Sequence, residues 1–504
     1  MAHGDLAQTA ALLGAGGSAL VLVPRGRAAL TAGFALLAAA EASLAVALVP
    51  RSDLSRLDSP LRLVALALVV LATVGLGLAL ARYPAFVPLL LLLAAPFRLP
   101  VTLGTQHAFL LLPLYGALAA SSLALLFGAW RGPVTPLPAL LAVPAAAFIA
   151  FDAMSLLWAR DLQQGSIELA FFIFPFAALV AVVARSPLAT WLPRALAAAI
   201  VGLACVFSVI GLWQEWTHTV FFARDLRVAN TYASFFRVTS VFKDPSIYGR
   251  HLVLAIVVVL VLLWLGRLGF VLSAGLVGLL FAGLYFSYSQ SSMAVLFVCA
   301  AAVTLVLGDR STKRIVAVAA LLAALAGGAV AATTAHGHSL RKATSGRSRL
   351  VTVTTTVIRH HPLTGVGVGS QPLASRQEAK TKLGARRDAS HTTPLTVAAE
   401  LGAIGVVLYL VLLAAAVRLL VLTTRRHRAA GLVLAATFLV LLLHSIFYSG
   451  FFEDPITWGV LATAAALLAE PVPALQAEPA RARLAWVTRH FGRAAPAEDV
   501  GRSR

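Results

Sequence analysis

The sequence predicts an all-α, polytopic membrane helix bundle of about 12–15 transmembrane helices, with one large outer-face loop carrying short helices. Three observations carry this reading. Of the 504 residues, 60% are hydrophobic and only 12% charged, and the mean hydropathy is +0.89, a balance that belongs to multi-span membrane chains. Apolar runs of crossing length repeat along the chain, and lipid offers no partner to unpaired backbone groups, so each run must be helical. Residues 334–395 interrupt this pattern with ten Lys or Arg against two acids.

Taken in order, spans are expected near 7–23, 28–49, 61–81, 84–97, 108–130, 138–158, 166–184, 192–214, 246–265, 269–286, 288–308, 314–333, 396–421, 429–447 and 456–470. The segments 84–97 and 456–470 are short for a crossing, which suits a tilted or re-entrant path. The N-terminus lacks the basic segment and small-residue cleavage site of a signal peptide, so its first apolar run is expected to stay as a span. Arg25, Arg27, Arg82, Arg131, Arg185, Arg194, Arg267, Arg310, Lys313, Arg314, Arg425, Arg426 and Arg428 fall on one side, the expected cytoplasm, while Arg51 and Arg56 run against that assignment. The opposite face then carries 98–107, 159–165, 215–245, 334–395 and 448–455. This divides the chain into an N-terminal transmembrane bundle over 1–214, a second transmembrane region over 215–470 that includes the loop, and a cytoplasmic basic tail over 471–504.

The net charge is +20. It is concentrated in short connections, the loop and the tail, which points to topology, lipid headgroups and an anionic ligand rather than nucleic acid. Cys205 and Cys299 lie far apart inside apolar runs, with no metal-binding spacing. Within the loop, Leu350, Val353, Val357 and Ile358 recur at helical spacing, so 347–361 reads as an amphipathic helix stopped by Pro362. Gly365, Gly367 and Gly369 make a turn, a second polar helix is expected over about 372–384, and Leu484, Val487 and Phe491 suit a short surface helix in the tail.

Five constellations carry candidate chemistry. Arg237 precedes Phe242-Lys-Asp-Pro-Ser-Ile-Tyr-Gly, in which Asp244-Pro245 is a helix-start signal, and Arg250 follows. Ser287-Tyr-Ser-Gln290-Ser-Ser suits sugar binding and equally suits capping of two helix ends. Arg349 leads into Pro362-Leu-Thr-Gly-Val-Gly-Val-Gly, whose turn is able to bring backbone amides near a phosphate but follows no strand, which rules out a dinucleotide-binding reading. His391 is followed by Glu400, Gly402 and Gly405: a glutamate in a span is costly and usually functional or paired, and the glycines suit close helix packing. The last is His444-Ser-Ile-Phe-Tyr448 with Phe452-Glu-Asp-Pro455.

These segments resemble, in order, the motifs of the O-antigen ligase and O-antigen polymerase superfamily of bacterial envelope glycosyltransferases. The resemblance covers roughly 230–470; the first half is similar only as a hydrophobic bundle. It implies metal-independent transfer of a glycan from a polyprenyl-diphosphate carrier to an acceptor hydroxyl, on the outer face of the bacterial cytoplasmic membrane, with the large loop over the site and no cofactor. By the same resemblance His391 takes the place of the base, with Glu400 beside it in the catalytic block, and Arg237 that of a diphosphate-binding arginine. Asp244 and Tyr248 belong to the same substrate-binding motif. The sequence departs from the family pattern at Gln290, where a basic residue is frequent, and at Thr392, where Asn is usual; Arg250 or Arg349 then supplies the missing phosphate contact. The chemistry of these residue types agrees: arginine offers a fixed, permanently charged fork to a diphosphate, and histidine accepts a proton near neutral pH. No Asp-x-Asp pair occurs on an outer loop. The expected partners are the carrier-linked donor, a glycan or lipid acceptor and membrane lipids. Ligase and polymerase share the donor and differ in the acceptor, so both stay open. The alternative is a multi-span transporter of an anionic or glycan-linked solute, suggested by Glu41, Asp152 and Glu400 at apparent membrane depth.

Overall fold

The computed structural model describes residues 2–49, 60–103, 106–221, 224–232, 235–337, 347–378, 390, 392–448 and 450–469. His391, the C-terminal tail with its expected surface helix, and the last part of the expected 372–384 helix lie outside the described residues.

The chain begins with α1 (Ala2–Leu22), α2 (Arg27–Leu48), α3 (Pro60–Arg82) and the short α4 (Val87–Ala94). A two-stranded antiparallel hairpin follows, β1 (Leu99–Leu103) with β2 (Gln106–Leu110), in the register Leu99 opposite Leu110. The span expected from residue 108 therefore starts later, as α5 (Leu112–Arg131), where Pro113 occupies the first helical turn. Next come α6 (Ala139–Met154), α7 (Leu162–Glu168), a π-helical turn at Leu169–Ile173, α8 (Phe174–Val183) and α9 (Leu192–Thr217). The second half holds α10 (Arg224–Tyr232), α11 (Pro245–Trp264), α12 (Phe270–Ser287), α13 (Gln290–Leu307) and α14 (Arg310–Gly337). The loop helices α15 (Arg347–His360) and α16 (Gln371–Glu378) precede α17 (Thr393–Arg426), α18 (Arg428–Ser445) and α19 (Pro455–Ala469).

Each expected span coincides with a described helix, although α14, over the expected 314–333 span, is not among those long and apolar enough to cross. Twelve of the described helices are long and apolar enough to cross a membrane, and the two short segments form helices at Pro84–Ala94 and Pro455–Ala469. The π turn has a local cause. Pro175 has no N–H to give the Phe171 carbonyl one α-turn earlier, and the Tyr115 hydroxyl donates to that carbonyl instead, at 2.6 Å. Helices α1 and α2 touch through small residues: a methyl on Gly17 would stand 2.9 Å from the Leu37 nitrogen, and one on Gly33 2.9 Å from that of Val21. At the centre, α11 beyond His251 and the whole of α19 are apolar all round and largely buried, the pattern of an interior helix. By contrast α3 is peripheral, with most of its apolar side chains exposed on the outside of the bundle.

Helix α17 has 34 residues, which at about 1.5 Å each is longer than the hydrocarbon thickness. It is two helices: Gly402 has φ 62° and ψ −160°, outside helical space, and breaks the run near its start. Gly402 was expected to permit helix packing, and it serves instead as the break.

Candidate functional site

The break in α17 is filled by the glycine-rich turn of the large loop. Val366 N–H donates to the Ala399 carbonyl (3.0 Å) and Gly367 N–H to that of Glu400 (2.8 Å). In return Ala403 N–H donates to the Pro362 carbonyl (2.8 Å) and Ile404 N–H to that of Leu363 (3.3 Å). The backbone groups freed by the broken helix are therefore satisfied by the loop. Approach this close needs bare backbone. Gly365, Gly367, Gly369 and Gly402 all have φ between 62° and 89°. A methyl on Gly365 would strike the Glu400 backbone, and one on Gly402 would strike Leu363.

The other side of the turn is fastened to the connection between α6 and α7. Val368 N–H donates to Ser155 Oγ (2.9 Å), Trp158 Nε1 to the Thr364 carbonyl (3.2 Å), Arg160 N–H to the Val366 carbonyl (3.2 Å) and Asp161 N–H to Ser370 Oγ (3.0 Å). The amides of Val366, Gly367 and Val368 are thus committed within the protein, and the turn acts as a clasp rather than an open phosphate cradle. Glu400 joins the clasp through its side chain, which is buried and accepts the Gln371 N–H (3.1 Å) at the start of α16.

A polar cluster that sequence reasoning missed closes the loop over this clasp. Arg160 Nη1 lies 2.8 Å from Glu378 Oε1, and His360 Nδ1 donates to Glu378 Oε2 (2.9 Å). His361 Nε2 lies 2.6 Å from Arg160 Nη2 and 3.1 Å from Glu378 Oε1. Burial alone would raise the Glu378 carboxyl, but the hydrogen bonds from His360 and Arg160 and the charge of Arg160 outweigh it and hold it below the ordinary carboxylate range. The available signal was that Glu378 is one of two acids in a basic loop, and that His360 and His361 directly precede Pro362.

Behind Glu400 lies a cavity of about 60 Å³ lined by Asp152, Glu168, Glu400 and Glu453, with Thr393 and Thr396. Among the described residues no Lys or Arg lines it. Its four acids come from α6, α7, α17 and the 446–454 connection. Burial pushes the Glu453 carboxyl above its ordinary range, against the pull of Arg98 and Arg250. Among the described residues no three His, Cys, Asp or Glu side chains converge closely enough to hold a metal ion.

The remaining candidates gather around the start of α11. The Arg237 main chain is held by the Asn230 side chain, which accepts its N–H (3.2 Å) and donates to its carbonyl (3.0 Å). Its Nε donates to the Ser287 carbonyl (3.4 Å), which brings Arg237 to the Ser287–Gln290 connection. Burial lowers the basicity of Arg237 and Asp244 opposes that shift. The buried Gln214 side chain accepts the Thr239 and Ser240 amides (3.1 and 2.7 Å) and fixes the turn between them. Gln290 opens α13 and is exposed, while Ser289 caps that helix by accepting the Ser292 N–H (3.4 Å).

Other members of the set are engaged internally. Asp244 caps α11, accepting the Ser246 N–H at 2.6 Å. Tyr248 is fully buried, its hydroxyl packed between Gly211 and Gly283. Arg250 forms a buried ion pair with Asp454 at 2.8 Å. Arg349 lies on α15, only partly exposed. Asp244, Arg250, Glu453 and Arg98 all lie within electrostatic reach of Tyr448, so the 446–454 connection joins the α11 cluster to the acidic cavity. Connections that the basic-residue pattern assigns to one face therefore lie together: 159–165 touches the large loop, and residues of 98–107 and 215–245 act on 448–455.

No curated protein matches the chain. The model of the O-antigen ligase family matches residues 274–410, from within α12 to just beyond the break in α17. The matched segment holds Gln290, Arg349, the glycine clasp and Glu400, whereas Arg237 and the 446–454 connection lie outside it. Over residues 274–410, within the helical membrane bundle, the chain is similar to the O-antigen ligase family, a match that supports the O-antigen ligase and polymerase superfamily.

Proposed function

We propose that this protein is a glycosyltransferase of the outer face of the bacterial cytoplasmic membrane. It moves a glycan from a polyprenyl-diphosphate carrier to an acceptor hydroxyl, as polymerase or ligase, without a metal ion. The observation that carries the reading is the clasp: inside the family-matched segment, a basic loop is built backbone to backbone into a broken membrane helix, beside a buried glutamate. A loop fixed in this way gives substrate-binding side chains defined positions at the membrane surface.

In this reaction the bond between the anomeric carbon and the diphosphate oxygen breaks, and a bond from that carbon to the acceptor oxygen forms. The diphosphate leaves with the electron pair, and Arg237 stabilises its charge with a fork that stays protonated. His391 takes the acceptor hydroxyl proton. Glu400 holds the clasp through Gln371 and keeps the loop registered on α17. Arg349, on the loop, and Gln290, at the exposed start of α13, are the further substrate contacts of this scheme. Asp244, Tyr248 and Arg250 serve it from within, as helix cap, packing residue and ion-pair partner.

Transport is the second reading, because a broken helix beside buried acids is also a transporter feature. Here the break is occupied by the loop's own backbone, which favours a fixed site over an open pathway. The test is glycan transfer by purified protein in nanodiscs, with polyprenyl-diphosphate oligosaccharide and EDTA, run beside His391→Ala. Longer carrier-linked products or a glycosylated acceptor, lost in the variant, are expected. Transfer by His391→Ala at the wild-type rate would remove that residue from the mechanism, and solute movement without transfer would favour the transporter.

A further inference from the structure

Tyr288 has φ 49° and ψ 30°, in the left-handed region that suits Gly or Asn and strains a bulky side chain. It ends α12 at a position where glycine usually sits. What this conformation achieves is the placement of the ring. Its centroid lies 4.5 Å from that of Phe235 at 34° and 5.9 Å from that of Tyr285 at 44°. Phe235 and Tyr285 are exposed, at 44% and 52%, so the group presents an uncovered aromatic face.

The neighbours of this face are polar and charged. Val238 N–H donates to the Phe286 carbonyl (3.2 Å) and Arg237 Nε to that of Ser287 (3.4 Å), so the 235–238 segment runs along the end of α12. Gln290 is exposed two residues beyond Tyr288. Aromatic residues are common at membrane interfaces for anchoring alone. Trp216 and Tyr232, 82% and 87% exposed, fit that role with no such strain. Tyr288 differs in being strained and in having an arginine beside it. A sugar ring has an apolar face that packs on aromatic rings and a hydroxyl edge that takes hydrogen bonds from amides and guanidinium groups.

We propose that Phe235, Tyr285 and Tyr288 form an aromatic subsite for the sugar ring next to the diphosphate of the carrier-linked donor, with Arg237 on the diphosphate and Gln290 on the hydroxyl edge of the ring. This subsite rests on the glycan-transfer reading above. It assigns donor recognition to the sugar as well as to the charge.

The test measures binding of two probes to protein in nanodiscs: polyprenyl diphosphate carrying an oligosaccharide, and bare polyprenyl diphosphate. Tyr288→Asn keeps the left-handed backbone and removes the ring; Tyr288→Phe keeps the ring. The Asn variant is expected to bind the glycosylated probe about tenfold more weakly, with bare-carrier binding within about twofold of wild type and the Phe variant near wild type for both. Phe235→Leu, which keeps apolar bulk without a ring, repeats the test should Tyr288→Asn fail to fold. Equal weakening for both probes would make the face a lipid anchor and overturn the proposal, as would unchanged binding of both. Wild-type protein that binds neither probe would overturn the glycan-transfer reading itself and the subsite with it. Wild-type binding that ring removal leaves untouched would overturn the subsite alone.

Discussion

The two halves of this bundle are built by different rules. Over α1–α9 the described chain is mainly helix-on-helix packing, interrupted by the β1–β2 hairpin and the π turn, with Gly17 and Gly33 letting α1 and α2 approach. Not one described residue before His218 has a left-handed φ. From His218 onward nine do, and four of these, Gly365, Gly367, Gly369 and Gly402, form the clasp between the loop and α17. Regular helices satisfy their own backbone in lipid, whereas irregular backbone at a membrane protein's core must find partners elsewhere in the chain. The first half thus reads as scaffold that lends the 155–161 connection to the clasp, and the second as the part where the fold accepts local cost to hold a site.

That contrast can be broken at its most costly contact. Removing one member of the Arg250–Asp454 pair leaves a buried charge unpaired, so Arg250→Ala is expected to destabilise the protein by about 3–5 kcal/mol. A joint Arg250→Met, Asp454→Leu replacement should recover most of that loss in a thermal-unfolding measurement; failure to recover would give the pair a role beyond stability. Next in size is Gly365→Ala, in which a methyl meets the Glu400 backbone at a positive φ. It should cost about 3 kcal/mol at the clasp and lower glycan transfer about 100-fold, with α1–α9 still folded by hydrogen exchange. An equal loss of protection in both halves would erase the distinction between them.

Tyr115→Phe tests the scaffold at the π turn. It strips the Phe171 carbonyl of its 2.6 Å donor and should cost about 1–3 kcal/mol of stability, with little change in transfer per folded molecule. The smallest effect is at Glu378, whose partners Arg160, His360 and His361 are partly exposed to solvent. Because its folded carboxyl lies below the ordinary range, its contribution is present above the unfolded value and is lost as pH falls through the folded one. Proteolysis of the 347–378 segment should therefore accelerate below the usual carboxylate range in wild type, and Glu378→Gln should show the faster rate already at neutral pH. A pH-independent rate in wild type would sever Glu378 from loop closure.

Much of this architecture is legible in the sequence because membrane helices announce themselves by length and apolarity. The start of α11 at Asp244-Pro245 and the stop of α15 before Pro362 follow from local chemistry as well. The clasp is not legible in the same way. Its contacts are backbone to backbone, so no side-chain type marks Gly402 as the partner of Leu363, and a glycine within an apolar run reads as packing. Arg160 is hidden for another reason: its partners His361 and Glu378 lie about 200 residues away in the chain, and only the folded loop brings them together. Arg250 shows the opposite case: its charge at a helix mouth suggested substrate, and the fold sets Asp454, from the connection before α19, against it.

The most direct measurement is the rate of glycan transfer from polyprenyl-diphosphate oligosaccharide, in nanodiscs, by wild type and by Gly365→Ala protein matched for folded fraction. The account predicts transfer by wild type, and in the variant a rate about 100-fold lower with carrier binding retained. Transfer by the variant at the wild-type rate, or no transfer by folded wild type with any host acceptor, would contradict it.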